Sequence, residues 1–135
     1  PAQPATPLTG ARRPDSILLV EDDATVRAMT VELLRDMGFQ VMEAAHGSAA
    51  MALLSGAVHF DLLVSDVGLP GPNGRQVADF AREKFPAIRI ILMTGYAEQA
   101  AMSPQFLGAQ MELLVKPFDA QALVAKVHAV MGQGR

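Results

Sequence analysis

Short runs of β-branched and leucine-rich residues recur five times along this chain, each followed by a longer stretch, and that alternation limits the fold more than any other feature. Ile17-Leu18-Leu19-Val20 is continuously apolar, as a strand covered on both faces must be. From Thr25 to Met37, Val26, Met29, Val31, Leu33, Leu34 and Met37 are spaced among Arg27, Glu32, Arg35 and Asp36. This is an amphipathic helix stopped by Gly38. Phe39 to Ala44 reads as a second strand and Ser48 to Leu54 as a second helix. Leu62 to Ser65 is a third strand, followed by the ordered loop Gly68-Leu69-Pro70-Gly71-Pro72-Asn73-Gly74, whose glycines and prolines break both periodicities. Arg75 to Lys84 is a helix with Val77, Ala78, Phe80 and Ala81 inward, closed by Pro86. Ile88 to Met93 is a fourth strand, and Ala97 to Phe106 a weaker helix that Pro104 kinks or ends. Glu112 to Val115 is a fifth strand, and Asp119 caps a last helix running to about Met131. Strands alternating with helices predict an α/β fold with a parallel sheet covered on both faces.

The 135 residues suffice for one core. Residues 1–14, with Pro1, Pro4, Pro7 and Pro14, read as a flexible linker or tail, residues 15–131 as the domain, and 132–135 as a C-terminal tail. A net charge of −3, with no basic cluster longer than Arg12-Arg13, argues against nucleic acid as a partner. No apolar run approaches a membrane span, so no direct membrane contact is expected. The absence of cysteine is compatible with a cytoplasmic location. The chain begins at Pro1 without a methionine, and is expected to be a fragment of something longer.

The polar residues fall where the strands end. Glu21-Asp22-Asp23 follows the first strand, Asp66 the third, Thr94 ends the fourth and Lys116 the fifth. In an open parallel sheet all of these lie on one edge, where ligands bind. With the first and third strands as neighbours, Asp22, Asp23 and Asp66 would converge, and three carboxylates that close repel unless a cation sits between them. Oxygen donors with room for water suit Mg²⁺ (or Mn²⁺), and the Gly68 carbonyl offers a further oxygen. A carboxylate in such a site can attack phosphorus and form an acyl phosphate. The Lys116 ammonium and the Thr94 hydroxyl could then hold the phosphoryl oxygens.

Taken in order, Ile17-Leu18-Leu19-Val20-Glu21-Asp22-Asp23, Val64-Ser65-Asp66-Val67-Gly68-Leu69-Pro70-Gly71-Pro72-Asn73-Gly74, Leu92-Met93-Thr94-Gly95 and Lys116-Pro117-Phe118 resemble the response-regulator receiver family, CheY-like. The resemblance implies a flavodoxin-like, doubly wound (βα)5 fold, with strand order 2-1-3-4-5. It implies phosphotransfer from a phosphohistidine, on a histidine kinase or a histidine phosphotransfer domain, to Asp66. By position Asp22 (through a water) and Asp23 form the acid pocket, Thr94 is the switch hydroxyl and Lys116 the phosphate partner. It further implies a cis peptide between Lys116 and Pro117. The switching surface would be the fourth helix, fifth strand and fifth helix, through which a homodimer could form. On this reading the domain is a signalling phosphoacceptor and not an enzyme with an external substrate. The Pro-rich start and the receiver running to the chain end resemble the C-terminal receiver of a hybrid sensor histidine kinase, which would tether it to a membrane sensor. A free-standing single-domain regulator is the alternative.

Two positions depart from the family pattern. Three residues before the lysine, where the family often carries an aromatic switch, stands Leu113, so no ring swings there. Tyr96, two past Thr94, and Gly68, two past Asp66, are expected to govern access of water and hence the lifetime of the phosphorylated state. Two other functional classes fit parts of the pattern. A Mg²⁺-dependent aspartyl phosphatase would carry a second aspartate where Gly68 stands. A receiver-like binding module that is never phosphorylated would usually lack an acid-pocket residue or the lysine.

Individually the same residues have plainer explanations. The acidic triplet suits any helix entry, and Asp66 any turn. His46, His59 and His128 have no ligand spacing and read as surface residues, and the eight methionines as core filler. In the last helix Leu123, Val127 and Val130 face the sheet, leaving Val124, His128 and Met131 as partner surface or crowded core.

Overall fold

The computed structural model describes residues 15–95 and 111–132. The five strands are β1 (Ser16–Val20), β2 (Gln40–Ala44), β3 (Leu62–Asp66), β4 (Arg89–Thr94) and β5 (Met111–Val115). They form one parallel sheet in the order β2-β1-β3-β4-β5, as the sequence led one to expect. Among the described residues the helices are α1 (Ala24–Asp36), α2 (Gly47–Leu54), α3 (Gly74–Lys84) and the C-terminal α4 (Ala120–Gly132). The Pro-rich segment 1–14, the helix predicted over 97–106 and Tyr96 lie outside the described residues. No helix among the described residues is long and apolar enough to cross a membrane.

Every side chain of the central strands β1 and β3 is buried, which is why those segments lack the alternation of a half-exposed strand. The pleat sorts them between two cores. Leu18, Val20, Leu63, Ile90 and Leu92 pack with Ala50 and Leu54 of α2 and Val77, Ala78 and Ala81 of α3. Ile17, Leu19, Leu62, Val64, Ile91 and Met93 pack with Val31 and Leu34 of α1 and Leu123, Val127 and Val130 of α4. Phe80 packs inward against the first core as expected but stays half-buried, with the Lys84 ammonium 5.5 Å from its ring centroid. One expectation of burial fails. Met29 and Met42 are not core filler: they are 54% and 37% exposed. Met29 lies on the outer side of α1, and Met42 alternates outward on the edge strand β2. In α4, Met131 joins the core while His128 stays exposed.

The helices begin at side-chain caps. Asn73 and Gln76 form a reciprocal capping box on α3, and the Asp119 carboxylate accepts the Ala122 N–H at 2.8 Å. α1 starts at Ala24, one residue earlier than the periodicity suggests, because Asp23 caps it. Gly38, just past α1, has φ +100°, a backbone conformation that glycine adopts without a side-chain clash.

Gly74 is needed for a different reason. A Cβ there would stand 2.2 Å from the Asp66 carbonyl oxygen, and the Gly74 N–H donates to the Val67 carbonyl at 2.9 Å. The loop after β3 is thus pinned directly against the end of the strand that carries Asp66. Gly74→Ala is expected to cost about 2–3 kcal/mol despite alanine's better helix propensity, because the clash is with backbone. Urea denaturation checks this, and an unchanged midpoint would refute the packing argument.

Candidate functional site

The ladder hydrogen bonds continue past the strands and align their ends. Glu21 N–H donates to the Ala44 carbonyl at 3.1 Å, Val67 N–H to Met93 at 2.8 Å, and Lys116 N–H to Thr94 at 2.7 Å. Asp66 pairs with Met93 and Thr94 with Val115 in the strand register. One rim therefore collects Glu21, Asp22, Asp66, Thr94 and Lys116. Glu21, Asp66 and Thr94 are buried, Lys116 is half-buried, and Asp22 is exposed.

The carboxylates of Glu21, Asp22 and Asp66 form a cluster in which one oxygen from each lies within 4.8 Å of the others. The expectation from sequence grouped Asp22 with Asp23, whereas the carboxylate that clusters with Asp22 and Asp66 is Glu21. Asp23 is spent on α1: its Oδ1 accepts the Thr25 and Val26 N–H groups at 2.9 and 3.0 Å. A carboxylate that close to a helix N-terminus is held there by two otherwise orphaned donors and the helix dipole. The third carboxylate is Glu21, to which the sequence alone assigns no role of its own. Its Oε2 accepts the Asp23 N–H at 3.0 Å, and its Oε1 accepts from Lys116 Nζ at 2.8 Å. The available sequence signal was Asp23 itself, standing at an N-cap position ahead of Ala24.

Lys116 bridges the buried carboxylates, with its Nζ also 3.1 Å from Asp66 Oδ2. Burial pushes the Glu21 carboxyl above the usual carboxylate range and the negative Asp66 adds to this. Hydrogen bonds from Lys116 and from the Asp23 N–H pull the other way without cancelling it. For Lys116 burial alone would lower the ammonium pKa, but the bonds and charges of Glu21 and Asp66 outweigh it and the net direction is upward. The Lys116–Pro117 peptide is cis. The Thr94 hydroxyl, wholly buried, donates to the Gly95 carbonyl at 3.2 Å. Leu113 is half-buried against the core under α2 and α3, and Gly68 is exposed in the loop after β3.

An all-oxygen donor set that crowds three carboxylates against one ammonium fits a hard divalent cation such as Mg²⁺. Asp23→Asn is expected to leave Mg²⁺ affinity within about twofold of wild type, since asparagine caps a helix equally well. Asp22→Asn should weaken it by roughly tenfold or more by removing a ligand charge. Calorimetric Mg²⁺ titration of both variants decides it, and a reversed ranking would point to Asp23 as the ligand.

Residues 17–128 match the model of the response regulator receiver domain. The chain belongs to that family. This receiver is 36% identical over 109 residues to the response regulator protein FleR of Pseudomonas aeruginosa, a match covering 80% of this chain and 23% of that protein. It is 35% identical over 130 residues to the sensor kinase CckA of Brucella abortus, covering 94% of this chain and 13% of the kinase. It thus spans less than a quarter of the length of these relatives. Among solved structures, the receiver domain of a hybrid histidine kinase CckA superposes with a TM-score of 0.72 at 31% identity, covering 86% of this chain and 98% of that one.

Proposed function

We propose that this receiver takes a phosphoryl group onto Asp66 from a phosphohistidine of a histidine kinase or a histidine phosphotransfer domain. An Asp66 carboxylate oxygen bonds to phosphorus as the phosphorus–nitrogen bond breaks, and the imidazole leaves with the electron pair and takes up a proton. The observation that carries this reading is the joint placement of Asp66, Glu21, Asp22 and Lys116 on one rim. Glu21, Asp22 and Asp66, with the Gly68 carbonyl as a further candidate, would hold Mg²⁺, which supplies charge neutralisation for the entering phosphoryl oxygens.

The chain's own residues do the rest. Lys116, shared between Glu21 and Asp66, is within reach of a phosphoryl oxygen added at Asp66. The Thr94 hydroxyl can exchange its local carbonyl partner for another. Phosphorylation adds about −1.5 to −2 charges, and the redistribution of Lys116 would be felt along β5. From there the 3.5 Å ion pair between Glu112 of β5 and Lys126 leads into α4. This makes β5 and α4, together with the helix that the sequence leads one to expect over 97–106, the switching surface, and a site for homodimer formation. With Leu113 in place of a ring, the switch runs through Thr94 and Lys116 alone. Gly68 and Tyr96 set the lifetime of the phosphorylated state.

The context we infer is the receiver of a hybrid sensor histidine kinase, supported by the match to CckA over 94% of this chain. The domain would then catalyse only its own phosphorylation and dephosphorylation, at the cytoplasmic side of a sensor. Treatment with acetyl phosphate and Mg²⁺ tests the central step. Intact mass should rise by roughly 80 Da, the signature of one phosphoryl group, and no rise with any competent donor would end the proposal.

A further inference from the structure

Arg27 lies on α1 one turn beyond the Asp23 cap, and its guanidinium makes two contacts outside its own helix. Nη1 donates to the Glu21 carbonyl oxygen at 2.8 Å, and Nε pairs with Glu43 Oε1 at 3.1 Å. Glu43 sits on the edge strand beside Leu19 in the register, and the following residue, Ala44, accepts the Glu21 N–H. Glu21 is thereby held by both backbone groups, from β2 on one side and from α1 on the other. The peptide that carries the Glu21 carbonyl is planar and leads directly into Asp22. Fixing that carbonyl fixes where the Asp22 Cα starts. Asp22 is the exposed member of the acid cluster and has little packing to orient it. Its neighbours Glu21 and Asp66, by contrast, are buried and bound to Lys116.

We propose that Arg27, braced by Glu43, is a positioning residue for the acid pocket, setting the Glu21–Asp22 peptide so that the Asp22 carboxylate faces Asp66. This rests on the receiver reading above and extends it to a residue that touches none of the three carboxylates' clustered oxygens. The planar guanidinium suits the task because its donors point in fixed, different directions. A lysine ammonium there would reach the carbonyl or Glu43 well, but not both. An ion pair at this level of exposure adds little to global stability, so its loss should register at the site and not in the unfolding midpoint.

The test is a Mg²⁺ titration of the full chain followed by backbone amide shifts, with thermal unfolding run in parallel. Arg27→Met is expected to weaken Mg²⁺ binding by roughly tenfold, the usual consequence of removing a partner behind a metal ligand, with the midpoint nearly unchanged. Arg27→Lys should recover part of that loss. Arg35→Met is the control. It removes the same charge from the same helix, where Arg35 Nη2 donates to the Val41 carbonyl at 3.0 Å, away from the cluster. It should bind Mg²⁺ as wild type does. Wild-type affinity in Arg27→Met, or equal losses in Arg27→Met and Arg35→Met, overturns the proposal while leaving the receiver reading in place. If Arg27→Met does not fold, Arg27→Lys decides on its own, an intermediate affinity supporting the proposal and a wild-type affinity overturning it. A wild-type chain that binds no Mg²⁺ takes down the proposed Mg²⁺-assisted phosphoacceptor function along with it.

Discussion

Asp66→Asn is expected to gain no phosphoryl mass under conditions that modify the wild-type chain, while folding as stably. The amide has the shape of the carboxylate but lacks its charge and its nucleophilicity, so the step fails at bond formation and not through loss of structure. The fold tolerates the change because the Asp66 backbone carries much of the local structure. Its carbonyl accepts the Ser65 hydroxyl at 3.0 Å, and the neighbouring Val67 carbonyl accepts the Gly74 N–H. Lys116 keeps its shorter contact, to Glu21 at 2.8 Å. The variant loses the attraction between Asp66 and Lys116 but also the repulsion between Asp66 and Glu21. These opposing changes should leave stability within about 1 kcal/mol of wild type. Intact mass after acetyl phosphate with Mg²⁺ checks the chemistry, and urea denaturation checks the fold. A phosphoryl adduct on Asp66→Asn would mean that another carboxylate of the cluster is the acceptor.

The strands were readable because burial on both faces removes alternation, so Ile17–Val20 and Leu62–Val64 announce themselves as central without any knowledge of the fold. The rim was readable because polar residues ending those runs must share one edge of a parallel sheet. The single-residue register at the β1–α1 junction was harder to read. Periodicity suggests a helix start at Thr25, and position after the strand is what pointed to Asp23 for the acid pocket. The cap geometry instead starts the helix at Ala24 and turns the Asp23 carboxylate into the helix. Glu21 escaped notice for a related reason. Its burial depends on Lys116, 95 residues away in the chain, and a partner at that distance leaves no local pattern. His46 shows the same limit. It reads as a surface histidine, and it is exposed, yet its Nδ1 accepts the Ala49 N–H at 3.2 Å as the cap of α2. Gly74 was legible only as one of several loop glycines. The requirement that it lack a Cβ comes from the Asp66 carbonyl packed against it.

Lys116→Met should destabilise the chain most at alkaline pH. Removing the ammonium takes away the charge that sits between Glu21 and Asp66, whose side chains are 1% and 8% exposed. Removing one partner of a buried ion pair typically costs about 3–5 kcal/mol. The Lys116 side chain is 24% exposed, so water can enter the gap, and about 2–3 kcal/mol near pH 8 is the expected loss. Glu21 makes that loss depend on pH. Its folded pKa is already raised above 4.5, chiefly by burial, and the variant removes the Lys116 hydrogen bond and charge that held it down. A carboxyl raised in the folded state favours folding most below its unfolded pKa, and that advantage disappears as pH rises through the folded value. The variant's Glu21 therefore accepts a proton more readily as pH falls, relieving the repulsion with Asp66, and the gap to wild type should narrow toward about pH 5. The raised pKa of Lys116 itself, above 10.5, contributes no slope in this window. Urea denaturation of both proteins at the two pH values gives the sign directly. A gap that stays constant or widens on acidification would show that Lys116 does not hold these two carboxylates together, and the rim would need another account of how it tolerates its charge.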